Sequence, residues 1–77
     1  MNKARRKEIQ ELIMEANELA DKIESIMDEE EEYRDNMPES LQGGEKYENS
    51  ESATTDLEAA KTSIEEAADN LESSTGY

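Results

Sequence analysis

The chain has 77 residues, of which 22 are acidic and 8 basic, and it contains no His, Cys, Trp or Phe. Without His and Cys it lacks the usual zinc ligands, disulfide bonds, a thiolate nucleophile and the most common general base. The length predicts one small domain over residues 1–77. The formal net charge of −14 predicts a surface that repels nucleic acid and anionic lipid and attracts basic partners.

The composition fits two structural classes. Leu and Ile together number only 10 and Val is absent, which is typical of disordered chains when the net charge is high. Ala, Glu, Lys, Leu and Arg make up 38 of the 77 residues, which is typical of coiled coils when a 3.5-residue period is also present. The periodicity of the apolar residues therefore decides between the two classes.

The first predicted helix covers residues 3–35. Its apolar residues are spaced alternately three and four apart, as in a left-handed coiled coil. They are Ile9, Leu12, Ala16, Leu19, Ile23 and Ile26. Glu30 interrupts this series, and we expect the structure to open to solvent there; a role in register and a buried cation are the alternatives. Asn36 and Pro38 end the helix, because Pro restricts the residue before it.

A second apolar column runs beside this series and comprises Ile13, Ala20 and Met27. Three apolar positions per heptad are typical of a helix in a bundle rather than of a two-stranded seam. A lone hairpin of this size has a small core and would leave such a face partly exposed. We therefore expect a homodimer that forms a four-helix bundle. Its predicted interface consists of Ile9, Leu12, Ile13, Ala20 and Met27.

The second predicted helix covers about residues 46–73. Its apolar positions are Ala53, Leu57, Ala60, Ile64, Ala67 and Leu71. Ser50 and Thr55 are both candidate N-caps, so the start could lie anywhere from Gly44 to Thr55. Residues 36–45 form a short loop of turn-type residues, which makes the helices antiparallel neighbours, and residues 74–77 form a frayed tail. The predicted fold is all-α, an antiparallel two-helix coiled-coil hairpin.

Acidic residues concentrate near the end of the first helix. Calcium sites need carboxylates at defined loop positions with a Gly at the turn, and a helical run has neither, so no metal or cofactor is predicted. A surface for a basic protein partner is the sharper interpretation, and a solvated helix end is the alternative. The predicted partner-binding residues are Asp28, Glu29, Glu31, Glu32, Tyr33 and Asp35.

The charge density supports a partner that normally binds nucleic acid. A helix of about 30 residues is about 45 Å long, so the net charge of −14 amounts to about one charge per 3 Å. Two aligned hairpins would approach the density of duplex DNA, about one charge per 1.7 Å. Direct nucleic-acid binding is not expected, because the basic cluster at residues 3–7 lacks interleaved aromatic residues and the overall charge is wrong.

The sequence offers little support for catalysis or membrane insertion. Paired carboxylates need a pocket that separates their pKa values, and a two-helix hairpin provides no obvious one, so an enzyme is not predicted. No apolar run approaches the length of a membrane span, and no apolar segment of a signal peptide follows the basic start. We therefore expect a cytoplasmic protein.

Two segments carry a family resemblance. They are KARRKEI at residues 3–9 and EEEEYRDNMPESLQG at residues 29–43, followed by Glu45, Tyr47 and the Ala-rich helix. With them the chain resembles small acidic proteins encoded by phages and prophages of Gram-positive bacteria, over nearly its whole length. The resemblance implies a module that binds and blocks a host or defence protein in the bacterial cytoplasm. The alternative is an assembly coiled coil, in which the charge only provides solubility.

Overall fold

The computed structural model describes residues 1–76, which form two long helices joined by a short turn. Helix α1 spans Lys3–Asp35 and helix α2 spans Glu45–Ser74, with a single 3-10 turn at Glu39–Leu41 between them. The helices pack antiparallel into a rod whose Cα atoms extend 60 × 14 × 12 Å. No strand occurs within residues 1–76. The prediction of an all-α two-helix hairpin is confirmed.

The ends of the helices follow from local hydrogen bonding. Asn2 caps α1, and its side-chain oxygen accepts a hydrogen bond of 2.7 Å from the backbone N–H of Arg5. Helix α2 begins directly after Gly44, at the upstream end of the range that the sequence allowed. Ser74, which was predicted to lie in a frayed tail, is the last residue of α2; Tyr77 lies outside the described residues.

The seam between the helices is marked by residues of reduced exposure that alternate three and four apart. On α1 they are Ile9, Ile13, Ala16, Ala20, Ile23, Met27, Glu30 and Arg34. On α2 they are Tyr47, Ser50, Thr54, Leu57, Lys61, Ile64, Ala68 and Leu71. Ala20 and Ala68 are both buried, which indicates that small side chains let the two helices approach closely along the seam.

The predicted seam is wrong in one of its two columns on each helix. Leu12, Leu19 and Ile26 were expected to face α2, but they are 48%, 49% and 51% exposed. The column one residue later takes their place; its members are Ile13, Ala20 and Met27. On α2 the same shift replaces the exposed Ala53, Ala60 and Ala67 with Thr54, Lys61 and Ala68. The shift brings polar residues of both helices together near the loop.

Candidate functional site: the two broad faces

A polar layer crosses the seam near the loop. The guanidinium Nη1 of Arg34 donates hydrogen bonds to the carbonyl oxygen of Ser50 (2.9 Å), to its hydroxyl (3.2 Å) and to the hydroxyl of Thr54 (2.6 Å). The Ser50 hydroxyl donates in turn to Glu30 Oε1 at 2.8 Å. Ser50 and Thr54 are buried and Glu30 is half-buried. The expectation that the structure opens to solvent at Glu30 is therefore wrong.

These hydrogen bonds show how the columns of the two seams pair. The bond between Ser50 and Glu30 joins the α1 column that contains Ile9, Ala16 and Ile23 to the α2 column that contains Leu57, Ile64 and Leu71. The bond between Arg34 and Thr54 joins the two remaining columns, and the long Arg34 side chain also crosses the seam to Ser50 of the first α2 column. We call the columns joined by Glu30 and Ser50 the first pair and those joined by Arg34 and Thr54 the second pair. Each pair borders one broad face of the hairpin, so residues next to the same pair lie on the same face of the molecule.

One broad face is apolar. A helix residue three positions after each member of the first pair of columns lies just outside the seam on that side. On α1 these residues are Leu12, Leu19, Ile26 and Tyr33, and on α2 they are Ala53, Ala60 and Ala67. All seven are exposed. We call this set the apolar face; it is a column of large side chains beside a column of alanines.

The opposite broad face is acidic. A residue three positions before or four positions after a member of the second pair of columns lies outside the seam on that side. The carboxylates there are Glu24, Glu31, Glu51, Glu58, Glu65 and Glu72, all exposed. We call this set the acidic face. Lys61 reaches its edge from the seam, and its Nζ lies 3.4 Å from Glu24 Oε2. The remaining exposed positions of this face on α1 are uncharged, at Gln10 and Asn17.

The six predicted partner-binding residues do not share one face, because successive helix residues point about 100° apart. Glu31 lies on the acidic face and Tyr33 on the apolar face, where it is 48% exposed. The other four are exposed on the outward sides of α1; they are Asp28, Glu29, Glu32 and Asp35. The structure therefore brings only one of these carboxylates into line with the glutamates of α2.

The predicted oligomer interface is largely occupied by the hairpin itself. Ala20 is buried, and Ile9, Ile13 and Met27 are half-buried in the seam with α2. Only Leu12 of the predicted set lies on the apolar face. A surface that could contact a second copy is therefore made by a different set of residues from the one predicted.

The glutamates of α2 were missed by the sequence reasoning. Glu51, Glu58, Glu65 and Glu72 follow one another at intervals of seven residues, which places them on one side of a coiled-coil helix. This heptad spacing was the signal available in the sequence. The prediction instead relied on the dense acidic run at residues 28–32, although a continuous run on a helix spreads its charges around the axis.

The chain matches no protein-family model, no curated protein and no solved structure. In the part of the chain that the structure describes, no cluster of three or more carboxylates is arranged to hold a metal ion. No helix there is both long enough and apolar enough to cross a membrane.

Proposed function

We propose that the protein is a non-enzymatic binding module that presents its acidic face to a basic surface of another protein. The observation that carries this proposal is the alignment of six exposed glutamates on one broad face. They repeat at about 10 Å intervals along each helix, the rise of seven helical residues. A rigid array of carboxylates at regular spacing is complementary to Lys and Arg side chains that contact phosphates.

The partner that this geometry favours is a protein with a nucleic-acid-binding groove. A net charge of −14 on a 77-residue rod steers association with a cationic surface and makes the complex sensitive to salt. Inhibition would follow from occupation, because a groove filled by the acidic face is closed to DNA or RNA. In keeping with the resemblance to phage proteins, we place this action in the cytoplasm of a bacterial host.

The test compares two charge-reversed proteins of equal net charge. In the first, Glu58→Lys and Glu65→Lys change the acidic face. In the second, Asp56→Lys and Glu66→Lys change exposed positions on other sides of the same helix. Each protein is used at low and high salt to capture partners from a lysate of Gram-positive bacteria, and duplex DNA is added as a competitor for whatever binds.

The proposal predicts that the wild type captures a nucleic-acid-binding protein at low salt, that high salt and duplex DNA release it, and that only the first variant loses it. Equal loss in both variants would mean that net charge alone attracts the partner. Absence of any salt-sensitive capture would also contradict the proposal. Circular dichroism of each variant verifies that the helices remain folded.

A second candidate function is an assembly coiled coil, and the exposed apolar face favours it. Four large hydrophobic side chains remain about half exposed at heptad spacing: Leu12, Leu19, Ile26 and Tyr33. In that case polar substitutions on the apolar face would abolish activity, while the charge reversals above would leave it intact.

A further inference from the structure

Neither the hairpin's own packing nor the proposed binding of a basic partner uses the apolar face. Within residues 1–76 the buried hydrophobic residues are only Ala20, Met37 and Ala68. The large side chains Leu19 and Ile26 are about half exposed, whereas the residues of the seam are buried or half-buried. A hairpin in this state gains stability when these side chains leave water.

We infer that a second copy of this chain covers the apolar face, and that the two hairpins form a twofold-symmetric four-helix bundle. The contact is made by seven residues from each copy: Leu12, Leu19, Ile26, Tyr33, Ala53, Ala60 and Ala67. This inference does not depend on the proposed partner, because both acidic faces remain on the outside of such a dimer.

The area of the apolar face is sufficient for a stable dimer. From Leu12 to Tyr33 the face is about 33 Å long, and two adjacent helices are about 20 Å wide. The contact therefore covers about 650 Å² on each copy, or about 1,300 Å² in total, within the range of roughly 1,200–2,000 Å² for specific interfaces.

Charge also favours this face for self-association. Each copy carries a net charge of −14, so two copies repel each other across most of their surface. None of the seven residues of the apolar face is charged. Contact through the acidic face would bring twelve glutamates together at six per copy, which leaves the apolar face as the side on which copies can meet.

The paired columns of large and small side chains select the arrangement of the copies. A twofold axis parallel to the helices places α1 of each copy over α2 of the other, so that the Leu and Ile column lies on the Ala column. An axis perpendicular to the helices would stack Leu on Leu and leave a gap between opposed alanines. Large side chains packed on small ones fill the space better, which favours the parallel axis.

The antiparallel register then predicts which residues meet. The hydrogen bond between Arg34 and Ser50 and the ion pair between Glu24 and Lys61 place Leu19 level with residues 65–66, so Ala67 is the nearest alanine of the apolar face. An axis parallel to the helices preserves these heights. Leu19 of one copy therefore packs beside Ala67 of the other copy.

The first experiment measures the mass in solution by sedimentation equilibrium at micromolar concentration. The wild type is expected at twice the chain mass of 8.7 kDa. The double variant Leu19→Glu and Ile26→Glu is expected to weaken self-association by at least about 100-fold, because carboxylates are costly to bury without partners. The matched control is Gln10→Glu and Asn17→Glu, which adds the same charge on the acidic face and is expected to remain a dimer.

A second experiment decides the question if the Glu variants fail to fold. The chain contains no Cys, so an engineered thiol reports only on its own position. A Leu19→Cys chain mixed with an Ala67→Cys chain is expected to form a covalent heterodimer on mild oxidation, since a disulfide needs Cα atoms within about 7 Å. The control mixture, Asn17→Cys with Glu65→Cys, lies on the acidic face and is expected to give none.

Three results would overturn the inference. The first is a wild-type mass of 8.7 kDa at every concentration, and the second is a dimer that survives Leu19→Glu and Ile26→Glu in a helical protein. The third is cross-linking of the control mixture, or of Leu19→Cys with Ile26→Cys in place of Ala67→Cys, which would require a different face or a perpendicular axis. A dimeric wild type that captures no partner in a salt-sensitive way would count against the proposed function alone.

Discussion

Arg34 makes three hydrogen bonds that join α1 to α2. Its guanidinium reaches across the seam to two hydroxyls and a carbonyl of α2, and Ser50 passes the network back to Glu30 on α1. Every member of such a network is costly to leave unpaired in a partly buried position. A polar layer at one place in a mostly apolar seam penalises shifted alignments of the helices, as a buried Asn does in coiled coils.

We predict that Arg34→Met destabilises the hairpin by about 1–3 kcal/mol, because the carbonyl and hydroxyl of Ser50 and the hydroxyl of Thr54 lose a charged donor. The measurement is urea denaturation followed by circular dichroism at a fixed protein concentration. Lys22→Met is the matched control, since it removes the same charge from an exposed position on α1, and it should change stability by less than about 0.5 kcal/mol. Equal effects of the two substitutions would show that the polar layer contributes only its charge.

At the scale of the helices, the sequence predicts their existence and their antiparallel packing but not which columns meet. The prediction of a two-helix hairpin follows from the heptad pattern and the short loop, and it is confirmed. On α1 the column of Ile9, Ala16 and Ile23 has an apolar column on either side, so periodicity alone permits two seams. The choice depends on matching polar residues across the seam, such as Arg34 with Thr54, and a pattern read along one helix cannot detect such a match.

The same lesson applies to the candidate binding residues. Counting acidic residues along the chain selects the run at residues 28–32, whereas a face of the folded molecule is made by residues seven apart on both helices. Glu31 belongs to the acidic face by this criterion and its neighbour Glu32 does not. Tyr33, one of the predicted partner-binding residues, lies on the apolar face, because it is two residues after Glu31 and successive side chains point about 100° apart.

We predict that Glu31→Lys weakens capture of the basic partner more than Glu32→Lys does. The two variants have the same net charge and differ by one position, so long-range attraction is equal and only the face differs. The measurement is the salt concentration that releases the captured partner, which should be lower for Glu31→Lys. If the same salt concentration releases the partner from both variants, the contact lies elsewhere or depends on net charge alone.

At the scale of the whole molecule, the hairpin is a rod with two unlike broad faces. One face carries six exposed glutamates, and the other carries seven uncharged side chains that are Leu, Ile, Tyr or Ala. The rod can therefore make two contacts of different chemistry at the same time. A dimer formed through the apolar faces would display an acidic face on each of two opposite sides. Such an assembly has the charge density that the sequence predicts for two aligned hairpins, and it would bury the side chains that the single hairpin leaves in water.

The two proposed contacts are expected to respond to salt in opposite directions. Screening weakens the attraction between the acidic face and a basic partner. It also weakens the repulsion between two copies of net charge −14, so an apolar contact between them becomes stronger as salt is added.

The most direct test of the account is therefore the mass of the wild-type protein by sedimentation equilibrium, measured over a range of protein concentrations at low and high NaCl. We predict twice the chain mass of 8.7 kDa at both salt concentrations, with a lower dissociation constant at high salt. A monomer under both conditions would contradict the account. A dimer that dissociates as salt is raised would also contradict it, because such copies would be held together by charged groups and the apolar face would remain uncovered.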